Sequence, residues 1–256
     1  MGTVSVGGKG QEIKWPHGSA APPIPAKTHS SIAPLPADEP PMPPSTASWP
    51  EIILIRHGQT EFNREGRIQG HQNSVLTELG QAQAAAYGRL LAARFAPLTP
   101  FALYRSPAGR CEQTTALACA AAKLDAGAFT IDDRLMEKGY GRWEGMTRPE
   151  IARAGDEQEL GAMDADPWGH RPPGGGETLT EVMERAHEWL LSLTPAQPVI
   201  VVCHGGTGRT LIRRYLGLDA QETMDISMRQ DVVFHLSPRG LDVIETGAET
   251  SQLNFG

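Results

Sequence analysis

The chain has 256 residues, of which 39% are hydrophobic and 21% charged, and its formal net charge is −7. This composition excludes a collagen-like or wholly disordered chain, and the negative charge excludes the general positive field that attracts nucleic acid or an anionic membrane. No uncharged apolar run approaches the roughly 18 residues of a membrane helix, and the N-terminus lacks the apolar core of a signal peptide, so a cytoplasmic location is expected.

Residues 1–50 differ in composition from the rest of the chain. They hold 11 of the 21 prolines and no arginine. Too few apolar residues are present to offset the entropy cost of ordering the segment. We therefore predict a disordered N-terminal extension, followed by one folded domain over residues 51–256. Two alternatives stay open for this segment: a proline-rich ligand for a partner protein, or a true start of the protein at Met42.

Strand and helix patterns alternate after residue 50. Apolar runs predict strands at residues 51–55, 101–105, 130–135 and 199–203, and a closing hairpin at 232–236 and 241–245. Helices are predicted at residues 77–95, 107–124 and 205–216, and capping boxes at Thr147 and Thr178 begin two more. This alternation predicts an α/β fold, a three-layer α/β/α sandwich around a mostly parallel sheet. Ligands of such sheets bind beyond the carboxyl ends of the strands.

Two predicted strands end in a histidine that is followed by glycine. The first strand runs into Arg56-His57-Gly58, and the fourth runs into His204-Gly205-Gly206. Both histidines then lie at the carboxyl edge of the sheet, where glycine lets the backbone approach a ligand closely. One such motif is weak evidence, but two at equivalent positions indicate a shared site.

Two further charged residues follow predicted strand ends. Arg110 falls in the first turn of a helix, where the helix dipole favours an anion over a cation, and Glu137 precedes a glycine-rich loop. Arginines can bind phosphate oxygens, a neutral histidine can attack phosphorus, and a glutamate can give a proton to the leaving oxygen. Together with the two histidine motifs, these residues predict cleavage of a phosphomonoester.

Seven sequence blocks occur in order between about residues 51 and 245. They are LIRHGQT at 54–60 with Asn63, GRIQGH at 66–71, LTxxG at 76–80 with Gln83 and Ala84, SPAGR at 106–110 with Gln113 and Thr114, Glu137 within 135–145, PGGGE at 173–177, and HGG at 204–206. In this combination the chain resembles the histidine phosphatase superfamily, in its phosphoglycerate mutase-like branch. The resemblance implies the fold of that family.

The resemblance also implies roles for five residues. The equivalent of His57 becomes phosphorylated in the family. Arg56, Arg110 and His204 occupy the positions that hold the phosphoryl group. Glu137 occupies the position of the proton donor. These five residues are therefore the expected catalytic residues.

Four more residues are expected to bind the substrate. Asn63, Gln69 and Gly70 match positions that help to line the family's pocket, and Gly205 offers its backbone next to His204. Arg56 and Arg110 belong to the same binding set. The resemblance implies no metal ion and no cofactor.

The resemblance leaves hydrolysis and phosphoryl transfer as alternatives. Mutase-like members carry a long insertion after the proton-donor loop, whereas about 30 residues separate Gly145 from the segment at residues 172–177. The sequence at residues 142–145 is also similar to the phosphatase side. We therefore expect hydrolysis of a small phosphorylated metabolite, with mutase-type phosphotransfer as the alternative. The identity of the substrate and the oligomeric state stay open.

A cysteine offers a rival nucleophile. Residues 203–210 fit the Cys-x-x-Gly-x-x-Arg-Thr loop of cysteine-dependent phosphatases, in which a thiolate attacks phosphorus. Neighbouring strand side chains point to opposite faces, however, so Cys203 and His204 are not expected to serve one pocket. Three cysteines without a C-x-x-C spacing indicate reduced thiols rather than disulfides or a zinc site. A non-catalytic phosphate-binding protein is the remaining alternative.

Several other side chains are assigned to packing or to solvent. Trp143 and Trp189 are expected to pack in the core, and His235, in the middle of a predicted strand, is expected to be structural. Arg213 and Arg214 are predicted to lie on a solvated helix face.

Overall fold

A six-stranded sheet forms the centre of the part of the chain that the structure describes. This structure is a computed structural model, and it describes residues 49–248. The strands are β1 (Ile52–Arg56), β2 (Ala102–Arg105), β3 (Thr130–Ile131), β4 (Val199–Cys203), β5 (Val232–Ser237) and β6 (Gly240–Glu245). The predictions for the N-terminal extension and for a start at Met42 lie outside the described residues.

Most of the strand pairs are parallel, as predicted. The strand order is β3-β2-β4-β1-β5-β6, and β1 to β4 all run in one direction. Only β5 runs against its neighbours, β1 and β6. In the β1/β4 pair, Arg56 lies opposite Cys203. The carboxyl ends of β1, β2 and β4 therefore meet at one edge of the sheet.

Eight α-helices connect these strands within residues 49–248. They are α1 (Glu61–Glu65), α2 (Glu78–Arg94), α3 (Gly109–Ala122), α4 (Arg148–Ile151), α5 (Glu157–Ala165), α6 (Leu179–Leu191), α7 (Gly205–Leu216) and α8 (Ala220–Met224). The predicted capping boxes are present at Thr147 and Thr178, and Thr77 caps α2. None of the described helices is long and apolar enough to cross a bilayer.

Alternating side chains of the central strands enter two separate cores. Leu54 and Val201 pack against α6 and α7 on one face, whereas Ile53 and Ile200 pack against α2 and α3 on the other. A strand buried on both faces must be apolar at every position, which explains the continuous apolar runs of β1 and β4. The three-layer α/β/α architecture is thus confirmed. Trp143 and Trp189 are fully buried, as expected.

The third strand is shorter than the sequence pattern predicts. Only Thr130–Ile131 pairs with β2, and residues 133–135 form a 3₁₀ turn. The Asp132 side chain accepts hydrogen bonds from the backbone N–H and the guanidinium of Arg134, and this local turn competes with strand pairing. The turn buries Leu135 and directs the following residues toward the sheet edge.

The prediction for Arg213 and Arg214 is wrong. Both side chains are buried, because the helix that carries them, α7, packs against both α6 and α8. The Arg213 guanidinium lies 4.2 Å from the ring centre of Trp168, and its Nε donates to the Leu218 carbonyl oxygen. Arginine can bury its stem and stack on an aromatic ring, so its presence on a helix does not identify a solvated face.

Two glycines bring helix α2 against the loop that follows β1. A Cβ atom on Gly80 would lie 2.0 Å from the carbonyl oxygen of Gln59, and one on Gly58 would lie 2.3 Å from the carbonyl oxygen of Gly80. These contacts are between backbones, so neither side can move without shifting the chain. Gly58, which follows His57, is therefore required for packing against α2 as well as for the close approach of a ligand.

Gly80→Ala is expected to lower the free energy of unfolding by about 3 kcal/mol, because the new methyl group overlaps rigid backbone. Gly161→Ala in α5 is the matched control, since nothing lies within 4 Å of the added Cβ. Alanine there is expected to be neutral or to stabilise by about 0.5–1 kcal/mol. Urea denaturation of both variants measures the difference. Equal stabilities would contradict the packing argument.

Candidate active site

The predicted catalytic residues other than Glu137 lie at or just beyond the carboxyl ends of three parallel strands, β1, β2 and β4. Arg56 is the last residue of β1 and His57 follows it, while His204 follows β4 directly. Beyond β2 the chain turns through Ser106 into α3, which carries Arg110 in its first turn. The ring centres of His57 and His204 lie 5.3 Å apart, so the two histidine motifs do form one site.

The tautomer of His57 follows from its contacts. Nδ1 lies 2.9 Å from the carbonyl oxygen of Gly58, which can only accept, so Nδ1 carries the proton. Nε2 accepts a hydrogen bond of 3.2 Å from Nε of Arg110. Burial, reinforced by the charges of Arg110 and Arg56, holds the pKa of His57 well below its ordinary value. The ring is therefore neutral at pH 7 with a lone pair on Nε2.

Arg110 joins the two histidines. Its Nε hydrogen is shared between His57 Nε2 and His204 Nδ1, each at 3.2 Å. Its two terminal nitrogens donate to the carbonyl oxygens of Gln72 and Gly70 at 2.8 and 2.9 Å. The side chain is fully buried, and burial lowers its pKa from the ordinary value. The backbone thus fixes the guanidinium plane against the two rings.

His204 is also held as a neutral ring. Nδ1 accepts from Arg110, so the proton lies on Nε2, which donates to Oγ of Ser106 at 2.7 Å. Burial, together with the charge of Arg110, holds the pKa of His204 well below its ordinary value. Ser106 therefore sets the orientation of the second histidine.

Residues 226–230 support Arg56 and His57 from a loop that no motif marks. Arg56 donates from Nη1 to the carbonyl oxygen of Met228. The Gln230 side chain donates to the carbonyl oxygen of His57 and to Oδ1 of Asn63, at 3.0 Å each. Sequence reasoning missed Gln230, because a glutamine just before the strand β5 carries no local signal. Its role depends on a contact across 173 residues.

Glu137 lies beside the N-terminus of α7. Its carboxylate accepts hydrogen bonds from the backbone N–H groups of Gly206, Thr207 and Lys138, at 3.0, 3.1 and 2.9 Å. Arg185 and His71 both contact the Glu137 carbonyl oxygen at 3.0 Å. The helix end and these side chains fix the glutamate from both sides.

A cavity of about 930 Å³ opens at this edge of the sheet. Of the predicted residues, Arg56, Asn63, Glu137 and Gly205 line it. The neighbouring His57, together with Arg110 and His204, is at most 3% exposed, so these three side chains lie beneath the cavity surface. The structure therefore brings all five predicted catalytic residues together.

Gln69 and Gly70 lie beside Arg110, and their contact with the substrate stays a prediction. They do not line the cavity, but the chain at residues 69–72 wraps the Arg110 guanidinium with its carbonyl groups. Gly70 has φ +52°, and a Cβ there would lie 2.2 Å from Oε1 of Glu144. The glycine is needed for this close approach, and its contact with the site is through the backbone.

Cys203 does not reach the cavity. Its side chain is fully buried in the core between the sheet and helices α6 and α7, on the face opposite to His204. Burial raises the pKa of its thiol well above the ordinary value, so the thiolate is strongly disfavoured. The geometry therefore gives no support to the cysteine nucleophile.

Lys138 is a buried cation on the cavity wall. Its side chain is 2% exposed, and burial lowers its pKa to about 8. A lysine in the unfolded chain keeps its proton to about pH 10.4. Between these values the unfolded state binds more protons than the folded state, so the unfolding free energy must rise with pH.

Lys138→Met is expected to raise the unfolding free energy at pH 7 by up to about 3 kcal/mol, because it removes the cost of a buried ammonium. This advantage over the wild type is expected to shrink as the pH rises from 8 to 10. Urea denaturation at pH 7, 8, 9 and 10 measures it, with Lys123→Met as the exposed control. A difference that does not change with pH would rule out the titration of Lys138.

The fold and the site define an α/β enzyme that acts on phosphate esters: two neutral histidines and the buried Arg110 lie beneath one cavity, and Arg56 lies on its wall. A family model described as the histidine phosphatase superfamily (branch 1) matches residues 52–240. The chain belongs to this superfamily, and it is an enzyme of the phosphatase type.

Relatives with named functions match most of the chain. A glucosyl-3-phosphoglycerate phosphatase from Mycolicibacterium vanbaalenii is 33% identical over 65% of this chain and 74% of its own length. A probable phosphoglycerate mutase from Cronobacter sakazakii is 30% identical over 80% of this chain and 95% of its own. The chain is thus similar to proteins of both types.

Solved structures agree with the fold. The structure of a mycobacterial glucosyl-3-phosphoglycerate phosphatase in complex with VO3 matches with a TM-score of 0.62 and 27% identity, over 77% of this chain and 98% of that one. A putative alpha-ribazole-5'-P phosphatase from Escherichia coli matches with a TM-score of 0.66 over 80% of this chain and 100% of that one. At 23% identity, the second match shows the fold alone.

Proposed function

We propose that this protein is a metal-independent phosphomonoesterase that hydrolyses a small phosphorylated metabolite through a phosphohistidine at His57. The observation that carries the proposal is the state of the His57 ring. Its Nδ1 proton is held by the Gly58 carbonyl oxygen, and the lone pair of Nε2 points at Arg110. A neutral imidazole whose second nitrogen is fixed in this way is a competent nucleophile at pH 7.

The charge of the transferred group would be stabilised by the surrounding cations. A phosphoryl group that enters beside His57 would accept the Arg110 Nε hydrogen that the two rings now share. Arg56 lies next to it, and its Nε is buried without a hydrogen-bond partner among the described residues. Nδ1 of His204 faces the same place, and it would donate to a phosphoryl oxygen once the ring carries a second proton. Such fixed donors suit the charge on three equatorial phosphoryl oxygens.

Glu137 is the proposed acid and base. In the first step, Nε2 of His57 bonds to phosphorus, the ester P–O bond breaks, and Glu137 protonates the leaving oxygen. In the second step, Glu137 takes a proton from water, the water oxygen bonds to phosphorus, and the P–N bond breaks. Oε2 of Glu137 accepts only one of the described hydrogen bonds, from the Gly206 N–H, so one lone pair is available for the proton.

Two observations bear on the substrate. Relatives of this chain are named for glucosyl-3-phosphoglycerate, a phosphate ester of a small metabolite, which supports a substrate of that size. The relative named as a probable phosphoglycerate mutase keeps phosphotransfer as a second candidate. The two functions differ in the acceptor, since a phosphatase gives the phosphoryl group to water and a mutase returns it to a substrate.

The test measures phosphate release from an aryl and an alkyl phosphate in excess chelator. We expect the wild type and Cys203→Ala to release inorganic phosphate to water. In Glu137→Gln, hydrolysis of the alkyl ester is expected to fall by about 10²–10⁴-fold, and that of the aryl ester by much less, because a phenolate leaves without a proton. Activity that the chelator abolishes, or that is lost in Cys203→Ala while the protein stays folded, would refute the proposal.

A further inference from the structure

Two cations on the cavity wall have no part in the proposed chemistry. Lys138 and Arg209 both line the cavity that contains Glu137. Neither has a carboxylate oxygen within 4.0 Å of its charged nitrogens among residues 49–248. Lys138 is buried and Arg209 is half-buried. Removing a cation from water without an ionic partner is costly, so two such cations in one cavity need an explanation.

The contacts of Lys138 are weak for a buried ammonium group. Its Nζ lies 3.5 Å from the carbonyl oxygen of His170, at the limit of a hydrogen bond. It also lies 5.3 Å from the ring centre of Tyr140. An ammonium has three hydrogens to donate, and the described residues take up one of them at most. Donors therefore remain available toward the cavity.

Arg209 has a similar excess of donors. Its Nη2 donates to the carbonyl oxygen of Ile226 at 3.1 Å, and its Nε is buried without a partner among the described residues. It lies four residues after Gly205 in α7, about 6 Å further along the helix axis at 1.5 Å per residue. Arg209 is thus about one turn from the residues beside the two histidines.

Most other charges of the cavity wall have partners, apart from Arg56, which would bind the reacting phosphoryl group. Arg229 forms a two-contact ion pair with Asp231. Asp164 pairs with Arg148. Glu137, which accepts three backbone hydrogen bonds, is the remaining acid on the wall. The wall therefore carries an excess of positive charge in a chain whose net charge is −7.

We infer that Lys138 and Arg209 form a second anion-binding subsite, which holds a carboxylate or a further phosphoryl group of the substrate while the histidines hold the reacting phosphoryl group. The inference rests on the proposed function, because it assumes that the histidines hold a phosphoryl group. Its test measures ligand binding and does not require turnover. An anion that both side chains reach would accept hydrogen bonds from their unused donors, and it would compensate the cost of burying Lys138 and half-burying Arg209. The subsite would select substrates with two anionic groups.

Binding measurements test the subsite without turnover. Calorimetric titration in a His57→Ala background compares glycerol 3-phosphate with 3-phosphoglycerate, which adds a carboxylate, and with glycerol 1,3-bisphosphate, which adds a phosphoryl group. We expect the dissociation constant for at least one of the doubly anionic ligands to be about tenfold or more lower than that for glycerol 3-phosphate. The ligand that binds more tightly identifies the second group.

Variants then assign the preference to the two residues. Lys138→Met and Arg209→Gln are each expected to reduce the preference by about tenfold, whereas Arg209→Lys, which keeps the charge, is expected to retain part of it. Arg89→Gln, an exposed arginine of α2 outside the cavity wall, is the control for general loss of charge. Circular dichroism confirms that each variant is folded.

The outcomes separate this inference from the proposed function. Equal affinities for all three ligands, or a preference that both variants retain, would overturn the subsite. If the preference depends on Lys138 and Arg209 but no phosphomonoester is hydrolysed by the wild type, then the subsite stands and the proposed function fails. If the wild type hydrolyses a phosphomonoester but binds all three ligands equally well, then the proposed function stands and the subsite fails.

Discussion

His57→Ala is expected to lower kcat/KM for phosphomonoester hydrolysis by about 10⁴-fold or more, because it removes the atom that would bond to phosphorus. The rings of His57 and His204 are both buried and neutral, and their contacts distinguish them. The lone pair of His57 is on Nε2, where it accepts a hydrogen bond from Arg110, whereas Nε2 of His204 carries a proton directed at Ser106. Only His57 therefore combines an accepting Nε2 with a position directly after Arg56.

Rapid mixing followed by quenching measures the predicted intermediate. The wild type should give a burst of leaving group and a phosphoenzyme that is labile in acid and stable in base, and His57→Ala should give neither. His235→Ala is the control, since this histidine lies in β5 and pairs with Glu51, outside the cavity wall. A phosphoenzyme that persists in His57→Ala would move the nucleophile to another residue.

Arg110→Lys is expected to lower kcat by about 10²–10³-fold even though the charge is kept. The guanidinium group of Arg110 is planar and rigid. Its two terminal nitrogens donate to the carbonyl oxygens of Gly70 and Gln72, while Nε faces the histidines. Lysine is a point charge on a flexible stem and cannot keep these three directions at once. It would also leave at least one buried carbonyl oxygen without a donor.

Steady-state kinetics with an aryl phosphate measures the loss, and urea denaturation separates it from unfolding. Arg94→Lys is the matched control, because this arginine is exposed at the end of α2. The loss in Arg110→Lys should lie in kcat as well as in KM, since the charge on the phosphoryl group changes during the reaction. A normal kcat in Arg110→Lys would show that the planar guanidinium of Arg110 is not needed for catalysis.

Local sequence signals were sufficient for most of the secondary structure. The apolar runs at β1 and β4 and the caps at Thr77, Thr147 and Thr178 appear where the patterns predict them. The short helices α1, α5 and α8 were not predicted. A helix of five to nine residues has too few turns for its apolar spacing to stand out, and its formation depends on packing.

One prediction is wrong because an arginine side chain suits two different environments, solvent and a helix interface. Arg213 and Arg214 were expected in solvent but are buried, because neighbouring helices cover that side of α7. The contact of Gln69 and Gly70 with the substrate stays a prediction, and the described contacts of their segment include the Arg110 guanidinium. Residue type and spacing do not determine which neighbour a loop will contact.

Sequence patterns are sufficient to identify the family, the three-layer fold and the paired histidine and arginine motifs, because strand ends of a parallel sheet must meet at one edge. The protonation states and hydrogen-bond partners of the groups at that edge depend on the folded structure. The tautomers of His57 and His204 depend on Gly58, Ser106 and Arg110, which approach from separate elements. Protonation and unused hydrogen-bond donors are set by burial and by partners distant in sequence, and a linear pattern does not record them.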